Sequence, residues 1–137
     1  MERLLPHRKP FLFVDSIDEA DEAHVVAHRR FIGEDFFFAG HFPGYPVVPG
    51  VILIEAMAQA GGAGMRMAGI LGGDALFFLA SVDKVKLRRQ VRPGDEVRLE
   101  IRNLRVSAKT LKQAGSAYVG DELAAEAEWL CLVGSAK

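Results

Sequence analysis

Two residues of this chain have side chains suited to moving protons at neutral pH, and their local sequence settings differ sharply. His41 lies in Gly40-His41-Phe42-Pro43-Gly44-Tyr45-Pro46-Val47-Val48-Pro49-Gly50-Val51, a run rich in proline and glycine. Glu55 follows within Ile52-Leu53-Ile54-Glu55-Ala56-Met57-Ala58-Gln59, where it is the one charged group in an apolar stretch. A loop carries a histidine easily, and an imidazole with an ordinary pKa of about 6.5 is largely basic at pH 7. A buried carboxylate costs several kcal/mol, roughly, unless it is paired or neutralised, so burial among Ile52, Leu53, Ile54 and Met57 favours the neutral acid. A base and a protonated acid together can take one proton and deliver another.

These groups need elements to position them. Phe36 to Pro49 contains too many prolines and glycines for regular structure and reads as a loop. From Gly50 to about Met67 the pattern is helical and apolar on almost every face, which predicts a helix buried all round. The free N–H groups of its first turn, at Gly50 and Val51, together with the positive end of the helix dipole, form a receptor for developing negative charge. Gln59 stands one turn beyond Glu55, where its amide can orient the acid or simply be a satisfied buried amide. Ala56, Ala60, Gly61 and Gly64 form a small-residue face that permits close packing against a sheet.

Strands are expected on both sides of the helix. Phe11 to Ile17 and Ala23 to Phe31 read as two strands separated by an acidic turn, Asp18 to Glu22. Ala75 to Leu87 reads as a third, and Pro93-Gly94-Asp95 as a turn. Val97, Leu99 and Ile101 then alternate with charged residues. Thr110 to Val119 leads into a Gly120-Asp121 hairpin turn. In the last strand Leu123, Ala125, Ala127, Trp129 and Cys131 are expected on one face, with Glu126 and Glu128 on the other. Two strands, a helix and four strands make an α+β domain, expected to span 1–137, with an antiparallel sheet wrapped around one central helix. One helix cannot cover such a sheet completely, so a dimer is expected.

The remaining features are blander. The chain has 137 residues, about half apolar, and a formal net charge of −1, so nothing global points to nucleic acid or a membrane surface. No basic head followed by an apolar stretch opens the sequence, and no apolar run is long enough to cross a bilayer; the expected location is cytoplasmic. The single cysteine, Cys131, excludes an internal disulfide and reads as a buried small hydrophobe. His24 and His28 share one strand face, but no further ligand is evident, and a structural role is preferred to a metal site. His7 reads as fixing the N-terminal loop. Phe36, Phe37, Phe38, Phe77 and Phe78 read as mostly core. The segment Lys84-Val85-Lys86-Leu87-Arg88-Arg89-Gln90-Val91-Arg92 is the one basic cluster, a solvated strand edge or a docking patch for an acidic partner.

Taken together, Leu4-Leu5-Pro6-His7-Arg8-Lys9-Pro10-Phe11-Leu12-Phe13-Val14-Asp15, Phe37-Phe38-Ala39-Gly40-His41-Phe42-Pro43, Pro49-Gly50-Val51, Glu55-Ala56-Met57-Ala58-Gln59, Pro93-Gly94-Asp95 and Glu126-Ala127-Glu128 resemble the β-hydroxyacyl-ACP dehydratases of the FabZ type. The resemblance runs nearly end to end. It implies the hotdog fold, a dimer or trimer of dimers, and sites that pair His41 of one subunit with Glu55 of the other. It further implies that (3R)-3-hydroxyacyl-ACP is converted to trans-2-enoyl-ACP without a cofactor or metal. His41 would take the C2 proton, Glu55 would protonate the departing C3 hydroxyl, and Gly50, with Gly40, would offer N–H groups to the thioester oxygen. Phe78 falls where many relatives carry a tyrosine that gates the acyl tunnel. Acyl carrier protein, bearing a phosphopantetheine thioester, would dock on the basic cluster.

Departures from the family pattern include Glu34-Asp35-Phe36 for Asn-Glu-Pro, Gln90 for a proline, and Ser107-Ala108-Lys109-Thr110 where an Arg-Arg-Gly-like element is usual. Rival readings are a specialised dehydratase of a polyketide-like or aryl-polyene pathway, a hotdog thioesterase, and a non-catalytic acyl-thioester-binding hotdog protein. The His41 motif speaks against a thioesterase, and the intact His–Glu pair against a mere binding protein.

Overall fold

The structure, a computed structural model, describes residues 1–135. Its elements are β1 (Ser16–Ala20), β2 (His24–Arg30), α1 (Gly50–Met67), β3 (Ala75–Leu87), β4 (Glu96–Val106), β5 (Thr110–Val119) and β6 (Glu122–Ser135). The strands form one antiparallel sheet in the order β1-β2-β4-β5-β6-β3, which curls around α1. This is the expected two strands, helix and four strands.

Why α1 forms where it does is visible at both ends. Pro49 precedes the first turn without a side-chain cap, and Ile52 and Leu53 donate to its carbonyl. At the other end Gly69 takes φ 79°, while Ile70 and Leu71 donate back to Met65 O, a left-handed termination that suits glycine. Between the ends, Leu53, Ala56, Met57, Ala60, Ala63 and Met65 are buried, against sheet residues that include Val25, Leu99, Ile101 and Trp129.

The small-residue face does what its composition suggests. A Cβ on Gly61 would stand 2.1 Å from Gln113 Oε1, one on Gly62 2.1 Å from Phe77 Cζ, and one on Gly64 2.3 Å from Val25 Cγ2. The sheet therefore approaches α1 along a line that side chains would block. Gln113, fully buried on β5, uses that proximity. Its Nε2 donates to Asn103 Oδ1 at 2.9 Å and to Gly61 O at 3.4 Å, and its Oε1 accepts from Trp129 Nε1 at 3.2 Å. A polar residue in the core is tolerable because each of its groups is partnered.

Two expectations about strands need correction. Phe11 to Asp15 is not a strand; β1 begins at Ser16 and runs through the acidic residues assigned to a turn. Phe13 and Val14 are adjacent and both buried, which a strand with one covered face cannot achieve. The turn lies later, where Asp21 Oδ1 accepts from the N–H groups of Ala23 and His24. In β6, Ala125, Ala127, Trp129 and Cys131 share the buried face as expected, but Leu123 is only half-buried and Ala124 is buried instead. The pairing of β5 with β6 skips Ala124, and its carbonyl turns to accept from Arg88 and Arg89. That bulge shifts the alternation by one residue. The β5–β6 turn itself is as expected, with Gly120 at φ 59°.

Replacing Gly64 with alanine tests the close approach. The Val25 side chain it would meet is branched at Cβ and cannot fold away. Gly64→Ala is expected to lower stability by about 1 kcal/mol or more, measured as the urea midpoint, despite alanine's roughly 1 kcal/mol advantage in a helix. A raised midpoint would show that the helix and sheet are not in such contact.

Candidate active site

His41 stands on the loop before α1. Its Nδ1 lies 2.9 Å from Val47 O. A carbonyl oxygen can only accept, so Nδ1 carries the ring proton and Nε2 keeps its lone pair. The loop that holds it is itself tied down. Val48 N donates to Val91 O at 2.7 Å, Tyr45 Oη donates to Gln90 Oε1 at 3.0 Å, and the Arg92 guanidinium covers the Tyr45 ring at 4.3 Å. Gln90, one of the departures from the family pattern, thus anchors the histidine loop. Phe42 beside the histidine has φ 58°, an unfavourable backbone region for a bulky residue, and its ring packs 4.5 Å from the imidazole.

Glu55 projects from α1 and is less enclosed than the apolar run suggests: 23 % of its side chain is exposed within its own chain. Its Oε2 accepts from Gln59 Nε2 at 2.9 Å, the orientation expected one helical turn away. Gln59 is wholly buried and fully used, because Nε2 also donates to Phe11 O at 3.1 Å and Oε1 accepts from Phe13 N at 2.8 Å. Orienting the acid and satisfying a buried amide are therefore the same arrangement. The loop misread as a strand is bonded to the helix instead.

The first two N–H groups of α1, at Gly50 and Val51, lie ahead of the helical ladder, and no acidic side chain occupies the first turn to neutralise them. Val51 is 71 % exposed, so this end of the helix opens outward. A Cβ on Gly50 would meet Leu87 Cδ1 at 2.3 Å, but that is the far end of an exposed side chain free to turn aside, so packing does not demand the glycine. Gly40 is exposed, with open space around it.

Within one chain His41 and Glu55 form no ion pair; the imidazole near the acid is His7, whose Nε2 lies 3.6 Å from Glu55 Oε2. Sequence reasoning gave His7 only a role in the N-terminal loop. A leading-loop histidine carries no periodicity that relates it to a helix residue 48 positions later; the Gln59 bonds to Phe11 and Phe13, with the burial of Leu5, Phe13 and Val14, hold that loop over Glu55. Burial holds the His7 imidazole below its ordinary pKa, and the nearby Glu55 charge opposes this in part. Phe77 flanks the His7 ring at 6.1 Å and packs over Gly62, whereas Phe78, the expected tunnel residue, is 58 % exposed on the outside of β3. Phe36 is likewise exposed, so neither Phe36 nor Phe78 is core, although Phe37 and Phe38 are buried.

Other candidates resolve locally. His24 pairs with Asp21 at 3.1 Å and His28 with Asp18, and no group of metal-ligating side chains occurs among the described residues. Cys131 is buried, and burial pushes its thiol up to about 12. Much of the basic cluster is already paired: Lys84 with Glu128, Arg88 with Glu126, and Arg89 with Glu122 and Asp95. No helix among the described residues is long and apolar enough to cross a membrane.

One helix lying in the curl of a six-stranded antiparallel sheet defines a hotdog-fold protein. The same architecture is found in the dehydratase heterocomplex ApeI:P of Xenorhabdus doucetiae, with a TM-score of 0.86 over 98 % of this chain and 91 % of that one at 18 % identity. It also recurs in a hypothetical thioesterase protein with coenzyme A from Streptococcus pneumoniae TIGR4, with a TM-score of 0.66 over 88 % and 85 % of the two chains at 11 % identity. Those identities speak for fold alone. Sequence carries the kinship further: residues 5–128 match the FabA-like domain family. The chain is 48 % identical to the 3-hydroxyacyl-[acyl-carrier-protein] dehydratase FabZ of Desulforamulus reducens, over 98 % of this chain and 94 % of that protein. It is 42 % identical to the FabZ of Pelotomaculum thermopropionicum, over 97 % and 95 %. The chain belongs to the FabA-like family and, within it, to the FabZ dehydratases.

Gln59→Leu should expose how much rests on that one amide. It would leave the buried Phe13 N–H without a partner and strip the part-buried Phe11 C=O of its donor, and is expected to destabilise the protein by about 2 kcal/mol in chemical denaturation. An unchanged midpoint would mean that these bonds do not hold the N-terminal loop.

Proposed function

We infer that this protein dehydrates (3R)-3-hydroxyacyl-ACP to trans-2-enoyl-ACP in fatty acid biosynthesis. The observation that carries the reading is the 48 % identity to a FabZ dehydratase over 98 % of this chain. His41 and Glu55 stand in the segments by which the sequence resembles that family. His41 suits the first proton transfer because its Nδ1–H is committed to Val47 O, leaving Nε2 to take the proton from C2. As that C–H bond breaks, negative charge grows on the thioester oxygen, and the N–H groups of Gly50 and Val51, assisted by Gly40, stand to receive it. The C3–O bond then breaks and the hydroxyl leaves as water with the proton of Glu55. His41 ends protonated and Glu55 ionised, and solvent exchange resets both.

His41 and Glu55 belong to different copies of the chain in this reading, since within one chain Glu55 faces His7 instead. Support for a homodimer comes from β3, a 13-residue edge strand that exposes Phe78, Leu79, Val85 and Leu87. An apolar unpaired edge of that length is a ready surface for a second copy. Phe78 then lines the acyl path at that junction. Higher assembly would be a trimer of such dimers. Acyl carrier protein presents the substrate, and the basic cluster from Lys84 to Arg92 steers it. The setting is the cytoplasm.

His41→Ala and Glu55→Gln are each expected to lower turnover of crotonyl-ACP hydration by about a thousandfold with folding intact. Mixing the two inactive variants should restore about a quarter of wild-type activity, because each mixed dimer holds one complete His–Glu site. Wild-type protein that leaves the enoyl thioester untouched would sink the dehydratase reading. Failure of the mixture to regain activity, with subunit exchange verified, would place both groups in one subunit's site.

A further inference from the structure

Behind Glu55 lies a cavity of about 20 Å³, lined by His7, Glu55, Ala58, Gln59, Phe77, Leu79 and Cys131. Its polar groups converge on one carboxyl oxygen. Gln59 cannot be turned around: its Oε1 meets the Phe13 N–H, which only donates, and its Nε2 meets the Phe11 carbonyl, which only accepts. An amide N–H is therefore aimed permanently at Glu55 Oε2. A protonated carboxyl has one hydroxyl and one carbonyl oxygen, and the carbonyl oxygen, the stronger acceptor, is the one that faces Gln59. The transferable proton then sits on Oε1, the other oxygen.

His7 approaches the same Oε2 at 3.6 Å. That is just beyond hydrogen-bond length, a separation common in unliganded sites that tighten when substrate arrives. Burial keeps the ring neutral near pH 7, with a single N–H to place. His7 Nδ1 is buried and has no partner. A bare acceptor is tolerated there better than an orphaned donor, so the proton belongs on Nε2, facing the acid. Neutrality matters because an imidazolium would hold Glu55 as the carboxylate and disable it as an acid. The other groups facing this pocket do not interfere. Cys131 on β6 stays a thiol, β3 contributes Phe77 and Leu79, and the neighbouring Arg8 is directed to Leu5 O, His7 O and Glu2.

We propose that His7 is a positioning residue for the general acid: its neutral Nε2–H shares Oε2 of Glu55 with Gln59, so that Oε1 carries the proton delivered to the substrate. The inference rests on the dehydratase reading, and its test has one readout that does not need turnover. Long-range nitrogen–proton NMR of the His7 ring at pH 7 should show the neutral Nε2–H tautomer, with its resonances moved in Glu55→Gln. An Nδ1–H tautomer, a charged ring or indifference to Glu55→Gln overturns the proposal whatever the activity. In kinetics, His7→Gln, which keeps an N–H near the same place, should hold kcat within about threefold of wild type. His7→Leu should lose about tenfold or more in kcat with KM unchanged. Its alkaline limb should move to higher pH, because a donor that favoured the ionised acid is gone. Equal losses in both variants with an unmoved limb would reduce His7 to a structural role, and wild-type behaviour of His7→Leu would remove it from the site. Wild-type inactivity alongside the expected tautomer would instead count against the dehydratase reading alone.

Discussion

The arrangement of this protein turns on the side-chain amide of Gln59, a buried group with no freedom left. One oxygen and two N–H bonds reach a loop N–H, a loop carbonyl and an acid on the amide's own helix. A hydrophobic contact could hold the loop to the helix, but it could not also dictate which oxygen of a carboxyl group faces outward. Hydrogen bonds are directional, and buried ones are expensive to leave unmade, so a single residue links packing to chemistry. The N-terminal loop is for the same reason part of the site, although nothing in its own backbone is regular.

His41 is prepared by a parallel device. A backbone carbonyl six residues further along fixes its tautomer, and the loop between is clamped by Gln90, Val91 and Arg92 from beyond β3. Each proton-handling group is thus oriented by contacts within its own chain. The proposed dimer would bring two such groups together by docking surfaces that already have their shape, along the long exposed edge of β3.

Much of this was legible in the sequence, for reasons that differ by element. The limits of α1 were readable because Pro49 and Gly50 begin it and the apolar pattern runs on to Met67, and its burial because no face is polar. The strands after it were readable from alternation, except where a bulge at Ala124 moves one residue between faces. Phe11 to Asp15 misled because an apolar run signals burial without saying what provides the hydrogen bonds; here a side-chain amide does. The His41 and Glu55 motifs stood out by residue type. His7 did not, since its meaning depends on a fold-over of the chain that local sequence does not encode. Burial of Glu55 was overestimated because the neighbours of a helical residue belong to whatever lies opposite, not to its own run.

The glycines of α1 have a bearing on how this sequence can drift. Gly61, Gly62 and Gly64 are close together on the helix, yet they touch three different strands, through Gln113 on β5, Phe77 on β3 and Val25 on β2. No single change elsewhere can make room at all three. A larger residue at any one of them calls for its own concession, and the concessions are unequal. Val25 is a plain core residue and can shrink, whereas Gln113 would abandon Trp129 and Asn103, and Phe77 would open the wall beside His7. Substitutions in this helix are therefore expected to enter a lineage in an order, beginning at Gly64 after a smaller residue has appeared at position 25, with Gly61 and Gly62 the last to move.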